Sequence, residues 1–209
     1  MIYKLACFLG KILSFLFWPI KVKGEKYLSK TGPIILAANH VSYLDPIVLG
    51  TAINRQIHFI AKREVFDVPI LGIIVKTLGA IPVDRKKASI ISIKKSINIL
   101  KNGKILGIFP EGTRSLNGEL LELNVGFIKI ALMSNAPIMP VGIHGTYDIY
   151  PPGSTIPSFL KRKNIYVNIG KPIHLDNTRE KDIKYQKESL LIIERTIKEL
   201  INSCKAIDT

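Results

Sequence analysis

Cysteine is almost missing from this sequence: Cys7 and Cys204 are the only two among 209 residues. They lie near opposite ends without a CxxC or Cys/His cluster, so neither a disulfide framework nor a zinc site is expected. A reducing compartment suits such a chain, and neither cysteine borders a motif that would make it a nucleophile. Acidic residues are also scarce, 16 Asp and Glu against 30 Lys and Arg, a formal net charge of +14. A field of that sign gathers anions, which leaves nucleic acid, an anionic membrane or small anionic substrates as partners. The chain has no GxxxxGK[ST] phosphate loop and no GxGxxG at the first strand–helix turn, so nucleotide hydrolysis and dinucleotide redox chemistry fit poorly. Its aromatic residues, 8% of the total, do not alternate with basic ones as base-stacking platforms do, which speaks against nucleic acid. What is plentiful is apolar. With 47% hydrophobic residues and a mean hydropathy of +0.23, the chain is not of the disordered class. It can bury a sizeable core in one domain and has apolar surface to spare.

The first twenty residues, MIYKLACFLGKILSFLFWPI, are the most apolar stretch, yet Lys4 and Lys11 interrupt it. The longest uncharged run within it, 12–20, falls short of the ~20 residues a membrane-spanning helix needs. Lys11 also splits what would be the apolar region of a secretory signal. On a helix Lys4 and Lys11 fall on nearly one side with Ser14, leaving Phe8, Phe15, Phe17 and Trp18 around the rest. That pattern predicts an interfacial helix with lysines reaching the headgroups and Trp18 as an anchor, ended by Pro19. A true span and a helix packed on its own domain are the alternatives. Residues 1–24 are therefore read as a membrane-docking helix and 25–209 as the main domain.

Beyond it, short apolar runs alternate with longer helical patterns. Strands are expected at 34–38, 58–61, 80–83, 105–109, 138–143 and 165–169. Helices are expected at 46–53, 64–78, 88–100, 126–134 and 179–203, with a Pro/Gly-rich loop at 150–157. In 88–100 the apolar face is Ile90, Ile93, Ile97 and Leu100, and Gly103 provides a stop. Such alternation predicts an α/β fold, a mostly parallel central sheet covered by helices. Ligands of such sheets bind beyond the carboxyl ends of the strands.

Three strand ends carry chemistry. The first runs into Asn39-His40-Val41-Ser42-Tyr43-Leu44-Asp45-Pro46. Aspartate before a helix-starting proline is a normal N-cap. A short loop can equally fold His40 back onto Asp45. One ring nitrogen then faces the carboxylate and the other is free to take a proton, the arrangement of a hydrolase triad without its serine. The nucleophile would then be a hydroxyl of the substrate. Two further ends, Ala80-Ile81-Pro82-Val83-Asp84-Arg85 and Phe109-Pro110-Glu111-Gly112-Thr113-Arg114-Ser115, each place an arginine just past a strand. Paired arginines grip phosphate through forked hydrogen bonds; Gly112 permits close backbone approach and Thr113 adds a hydroxyl.

With those residues in place, the chain resembles the glycerolipid acyltransferases related to 1-acylglycerol-3-phosphate acyltransferase. The likeness runs from about residue 32 to 143 through four blocks in the family's order: NHVSYLDP, GAIPVDR, FPEGTRS and APIMPVGI. It implies His40 as general base, Asp45 as its orienting partner, and Arg85 on the substrate phosphate. Glu111, Gly112 and Arg114 would shape the acceptor site; Lys62, at a position often basic in the family, is a further phosphate candidate. The implied reaction moves an acyl group from acyl-CoA or acyl carrier protein to the sn-2 hydroxyl of lysophosphatidic acid. It needs no metal or cofactor, because the thioester is already activated. The resemblance makes 25–209 the catalytic domain and places the protein on the cytoplasmic face of the cell membrane, peripheral or monotopic, against an anionic surface. One departure stands out. Where the family commonly has a Phe followed by lysines before Gly126, this chain has Leu123-Asn124-Val125, which leaves another lysophospholipid or glycerol 3-phosphate open as acceptor. A non-catalytic membrane or nucleic-acid binder is the rival from another class, but it gives no reason for His, Asp, Glu and two Arg at strand ends. His58 and His174 read as structural; His144, Tyr147 and Asp148 are weaker candidates for the acceptor site.

Overall fold

A computed structural model describes residues 2–67, 72, 75, 76, 79–83, 90–159 and 163–208. Seven strands form one sheet in the order β1 (Ile20–Lys23), β7 (Ile165–Ile169), β6 (Ile138–His144), β2 (Ile34–Ala38), β5 (Ile105–Ile108), β3 (Ile57–Lys62), β4 (Ile81–Val83). All pairs are parallel except β6–β7, so β1 and β7 run against the other five. Every residue of β2 and β5 is buried, as strands with helices on both faces must be, and both are uninterrupted apolar runs for that reason.

Alternating side chains divide the core in two. Ile34, Leu36 and Ala38 face one layer, with α2 (Asp45–Ala52) and Trp18. Ile35 and Ala37 face the other, built from α3 (Ile90–Lys101), α4 (Gly126–Ser134) and α6 (Ile183–Asp208). A short helix, α5 (Thr146–Ile149), follows β6. The α6 helix lies so close to β6 that a Cβ on Gly142 would sit 2.6 Å from the Ile201 nitrogen.

Several expectations shift. The α3 helix turns Ser92, Ser96 and Leu100 inward with Ile93 and Ile97 half-buried, and leaves Ile90 exposed. The small serines fit because their hydroxyls bond backbone: Ser92 donates to the Pro82 carbonyl at 3.1 Å and Ser96 to Ser92 at 2.9 Å. The helix expected over 64–78 begins as a 3-10 turn, Arg63–Asp67, and most of the remainder of that range lies outside the described residues. The α6 helix starts later and ends later than read from the pattern.

The N-terminal segment changes most. Helix α1 (Ile2–Leu16) packs on α2, with Gly10 so near Thr51 that a Cβ would stand 2.6 Å from its hydroxyl. The Tyr3 hydroxyl, between the Arg55 carbonyl and the Ile57 amide, and Lys11, on Asn54, fasten it further. Phe8 and Phe15 are exposed. Trp18 is not the exposed anchor expected. It is 6% exposed, belongs to the core, and donates Nε1–H to the Ser158 carbonyl at 3.1 Å. Phe17 is half-buried against Phe159, ring centroids 5.3 Å apart. The helix stops before these two residues, and the chain turns into β1, which pairs with β7 as an edge strand. A boundary at residue 24 therefore cuts the main sheet; β1 escaped the pattern because IKVK is four residues long and half lysine. No helix among the described residues is long and apolar enough to cross a membrane.

Candidate active site

The carboxyl ends of β2, β5 and β6 converge on one edge, and backbone bonds lock them. Asn39, the residue after β2, is buried and clasps β6: its amide donates to the Ile143 carbonyl at 3.0 Å and accepts the Ile143 amide at 2.7 Å. The next residue, His40, accepts at its carbonyl from the Ser115 amide, 2.8 Å away. The loop from 40 to 45 thus has its register set from both neighbouring strands.

Within it, the Nδ1 of His40 lies 2.8 Å from Oδ2 of Asp45. Asp45 is fully buried. The same oxygen accepts the amides of Val41 and Ser42, each at 2.8 Å, and Oδ1 accepts the Thr146 hydroxyl at 2.7 Å. Every group around this carboxylate donates, which is what an ionised, buried carboxylate needs. Asp45 is not the N-cap of α2: Leu44 holds that position without a side-chain bond. The carboxylate collects the amides of the loop before the helix instead. An acceptor-only partner fixes the proton on Nδ1 and leaves Nε2 to take one. The imidazole lies flat on Phe109, centroids 4.0 Å apart, and Phe109 in turn on Phe59. Its side chain keeps 17% of its surface exposed, and Nε2 has no partner among the described residues. Ser42 is fully buried, donating to the Tyr150 carbonyl at 2.7 Å and accepting from the Leu44 amide; it is engaged as a structural pin.

Glu111 completes the lock. One oxygen accepts the His40 amide at 2.6 Å and the other the Leu121 amide at 2.9 Å. Burial pushes its carboxyl up to about 7, against the pull of those two amides, and the Asp45 charge adds to the rise.

A family model described as Acyltransferase matches residues 19–144. The chain belongs to the acyltransferase family. The acyltransferase is 34% identical to a 1-acyl-sn-glycerol-3-phosphate acyltransferase of Bacillus subtilis over 173 residues, 82% of each chain. It is 32% identical to the enzyme of that name from Saccharomyces cerevisiae, over 97% of this chain and 68% of that one. It spans less than half of a chloroplast relative from Arabidopsis thaliana, 44% of that protein at 32% identity. Its fold matches the crystal structure of a 1-acyl-sn-glycerophosphate acyltransferase from Thermotoga maritima with a TM-score of 0.82 and 27% identity, covering 98% of this chain and 80% of that one.

The remaining predicted residues of the acyltransferase fall into three groups. Lys62 is exposed at the end of β3, where it pairs with Val83 of β4. Arg114 lies beside the His40 loop with its guanidinium 3.4 Å over the Tyr43 ring; its Nη1 is buried and has no partner among the described residues. Thr113 is exposed. Arg85 lies outside the described residues.

One assignment is corrected. Glu111 does not face the acceptor: it is 5% exposed with both oxygens on backbone amides, so it shapes the site by holding His40. Gly112 takes a left-handed turn at φ 72° and gives its amide to the Phe109 carbonyl at 3.0 Å. The weaker candidates are also occupied elsewhere. Tyr147 donates to the Leu116 carbonyl, Asp148 pairs with Lys163, and His144 stands 3.4 Å from Asp208. His58 is structural, its Nδ1 2.9 Å from the Gly79 carbonyl. Cys204 is buried, and burial raises its thiol to about 11. Sequence reading missed Thr146, Asn39 and Phe109 as parts of the site. Phe109 and Asn39 stood inside recognised blocks, whereas Thr146 carried no signal, being 101 residues from Asp45.

Proposed function

We propose that this acyltransferase transfers an acyl group from acyl-CoA or acyl carrier protein to the sn-2 hydroxyl of lysophosphatidic acid, giving phosphatidic acid. The observation that carries the reading is the His40–Asp45 pair, with no partner for its second nitrogen among the described residues and its loop serine engaged elsewhere. In this reading Nε2 removes the hydroxyl proton as the alkoxide attacks the thioester carbonyl. The tetrahedral intermediate then collapses with loss of the thiolate, and His40 returns the proton to it. Asp45 stabilises the imidazolium without being protonated. No acyl-enzyme, metal or cofactor enters, since the thioester supplies the activation. Lys62, Arg85 and Arg114 are assigned to the acceptor phosphate, whose fixed position makes attack effectively intramolecular. The enzyme works at the cytoplasmic face of the membrane, docked by α1.

Purified enzyme given both donors and a panel of lysophosphatidic acid, glycerol 3-phosphate and a lysophospholipid with an esterified headgroup should favour lysophosphatidic acid. Absence of phosphatidic acid with either donor rejects the substrate assignment. Arg85→Ala should raise KM for the acceptor; an unaltered KM removes that residue from the phosphate site.

A further inference from the structure

The exposed apolar surface does not stop where α1 stops. Phe8, Ile12, Phe15 and Leu16 recur at helical spacing and are 59%, 41%, 78% and 56% exposed. Past Leu16, the half-buried Phe17 and the core residue Trp18 both touch Phe159, and Ile156, three residues before it, is 73% exposed. The loop 150–159 that carries these two side chains is fastened to the catalytic loop. Ser42 donates to the Tyr150 carbonyl, and the rings of Tyr43 and Tyr150 lie 5.1 Å apart. Ile47, exposed on the first turn of α2, sits beside Gly10 of α1. Apolar side chains therefore run from α1 over the 150–159 loop to within three residues of His40.

We propose that the 150–159 loop is a second membrane-contacting element, which with α1 forms one lipid-facing surface at the mouth of the active site. This rests on the lipid acceptor and the docking of α1 proposed above. A bilayer with anionic headgroups fits this surface better than a protein partner. In the sequence Lys161 and Arg162 follow Phe159 after one further apolar residue, Leu160, and the whole chain carries +14. An acceptor that keeps its acyl chain in lipid while its headgroup reaches His40 also requires apolar protein surface at that mouth.

The test is co-sedimentation with vesicles of phosphatidylglycerol and phosphatidylcholine, using the full chain. Ile156→Glu should lower partition about tenfold, because an isoleucine leaves lipid and a charge faces it. Leu191→Glu makes an equivalent change at an exposed position on α6, in the opposite layer, and should leave partition as in the parent. Unchanged partition of Ile156→Glu, with its Tm as in the parent, overturns the proposal. So does an equal loss in both variants, which marks a general charge effect. A lipid-free dimer that Ile156→Glu dissociates without loss of partition would assign the loop to a second copy instead. Partition is read without turnover, so an enzyme that binds vesicles but makes no phosphatidic acid rejects the function reading and not this one.

Discussion

The His40 loop and the apolar face of α1 lie close together and are built on opposite rules. Around His40 and Asp45 every polar atom of the carboxylate has a partner, at 2.7–2.8 Å, and the aspartate has no surface at all. On α1 the phenylalanines stand in the open. The first arrangement fixes the position of one nitrogen, which is what a proton transfer needs. The second fixes nothing in detail and sums over area, which is what adhesion to a fluid surface needs. Single-atom changes should thus be felt steeply in the loop, and in proportion to apolar area on the face.

The largest break should come from His40→Ala, with turnover lower by about 10³-fold and an unaltered thermal melt; unchanged kcat would reject the base. On the other side, Phe8→Glu with Phe15→Glu should weaken partition to anionic vesicles by about 100-fold or more. Persistent sedimentation would show that α1 does not dock. Glu111 sharpens the loop's side of the comparison through pH. Its carboxyl is raised in the folded state from near 4.5 to about 7. The native state therefore holds more protons than the unfolded state in that window, and this residue's contribution to stability falls as pH rises from 4.5 to 7, by at most about 3 kcal/mol. Denaturant titrations at pH 5 and 7.5 should show this component in the parent and not in Glu111→Gln. Thr146→Val strips one donor from Asp45 and should lower kcat about tenfold, with Thr146→Ser restoring it. A kcat for Thr146→Val equal to the parent's would mean that the second oxygen does not matter. Smallest on membranes is Trp18→Phe, where partition should hold within about twofold while stability falls by about 1–3 kcal/mol. A large loss of partition there would return Trp18 to the docking face.

Much of the fold was legible because its signal is local. The β2 and β5 runs and the extent of α4 stand in the sequence as they stand in the sheet and its cover. Trp18 was misread for the converse reason. An aromatic residue at the end of an apolar helix looks the same whether lipid or its own domain covers it. The decision lay with the Ser158 carbonyl and Phe159, 140 residues further on. Glu111 was recognised as part of the site but assigned to the wrong neighbour, since a motif names the residue without saying what its carboxylate faces.

By itself the sequence determined the pairing of His40 with Asp45, the strand ends that carry it and the acyltransferase membership, because these depend on residue types at short, fixed spacing. Only the tertiary structure decided which groups hold the pair in place. Thr146 on Asp45, the Asn39 clasp on β6, Phe109 under the imidazole and Glu111 behind the His40 amide are contacts between segments distant in the chain. The loop at 150–159 meets Phe17 and Trp18 in the same way. Such contacts leave no local periodicity or spacing, since any residue of suitable shape and polarity can be brought to them by the fold.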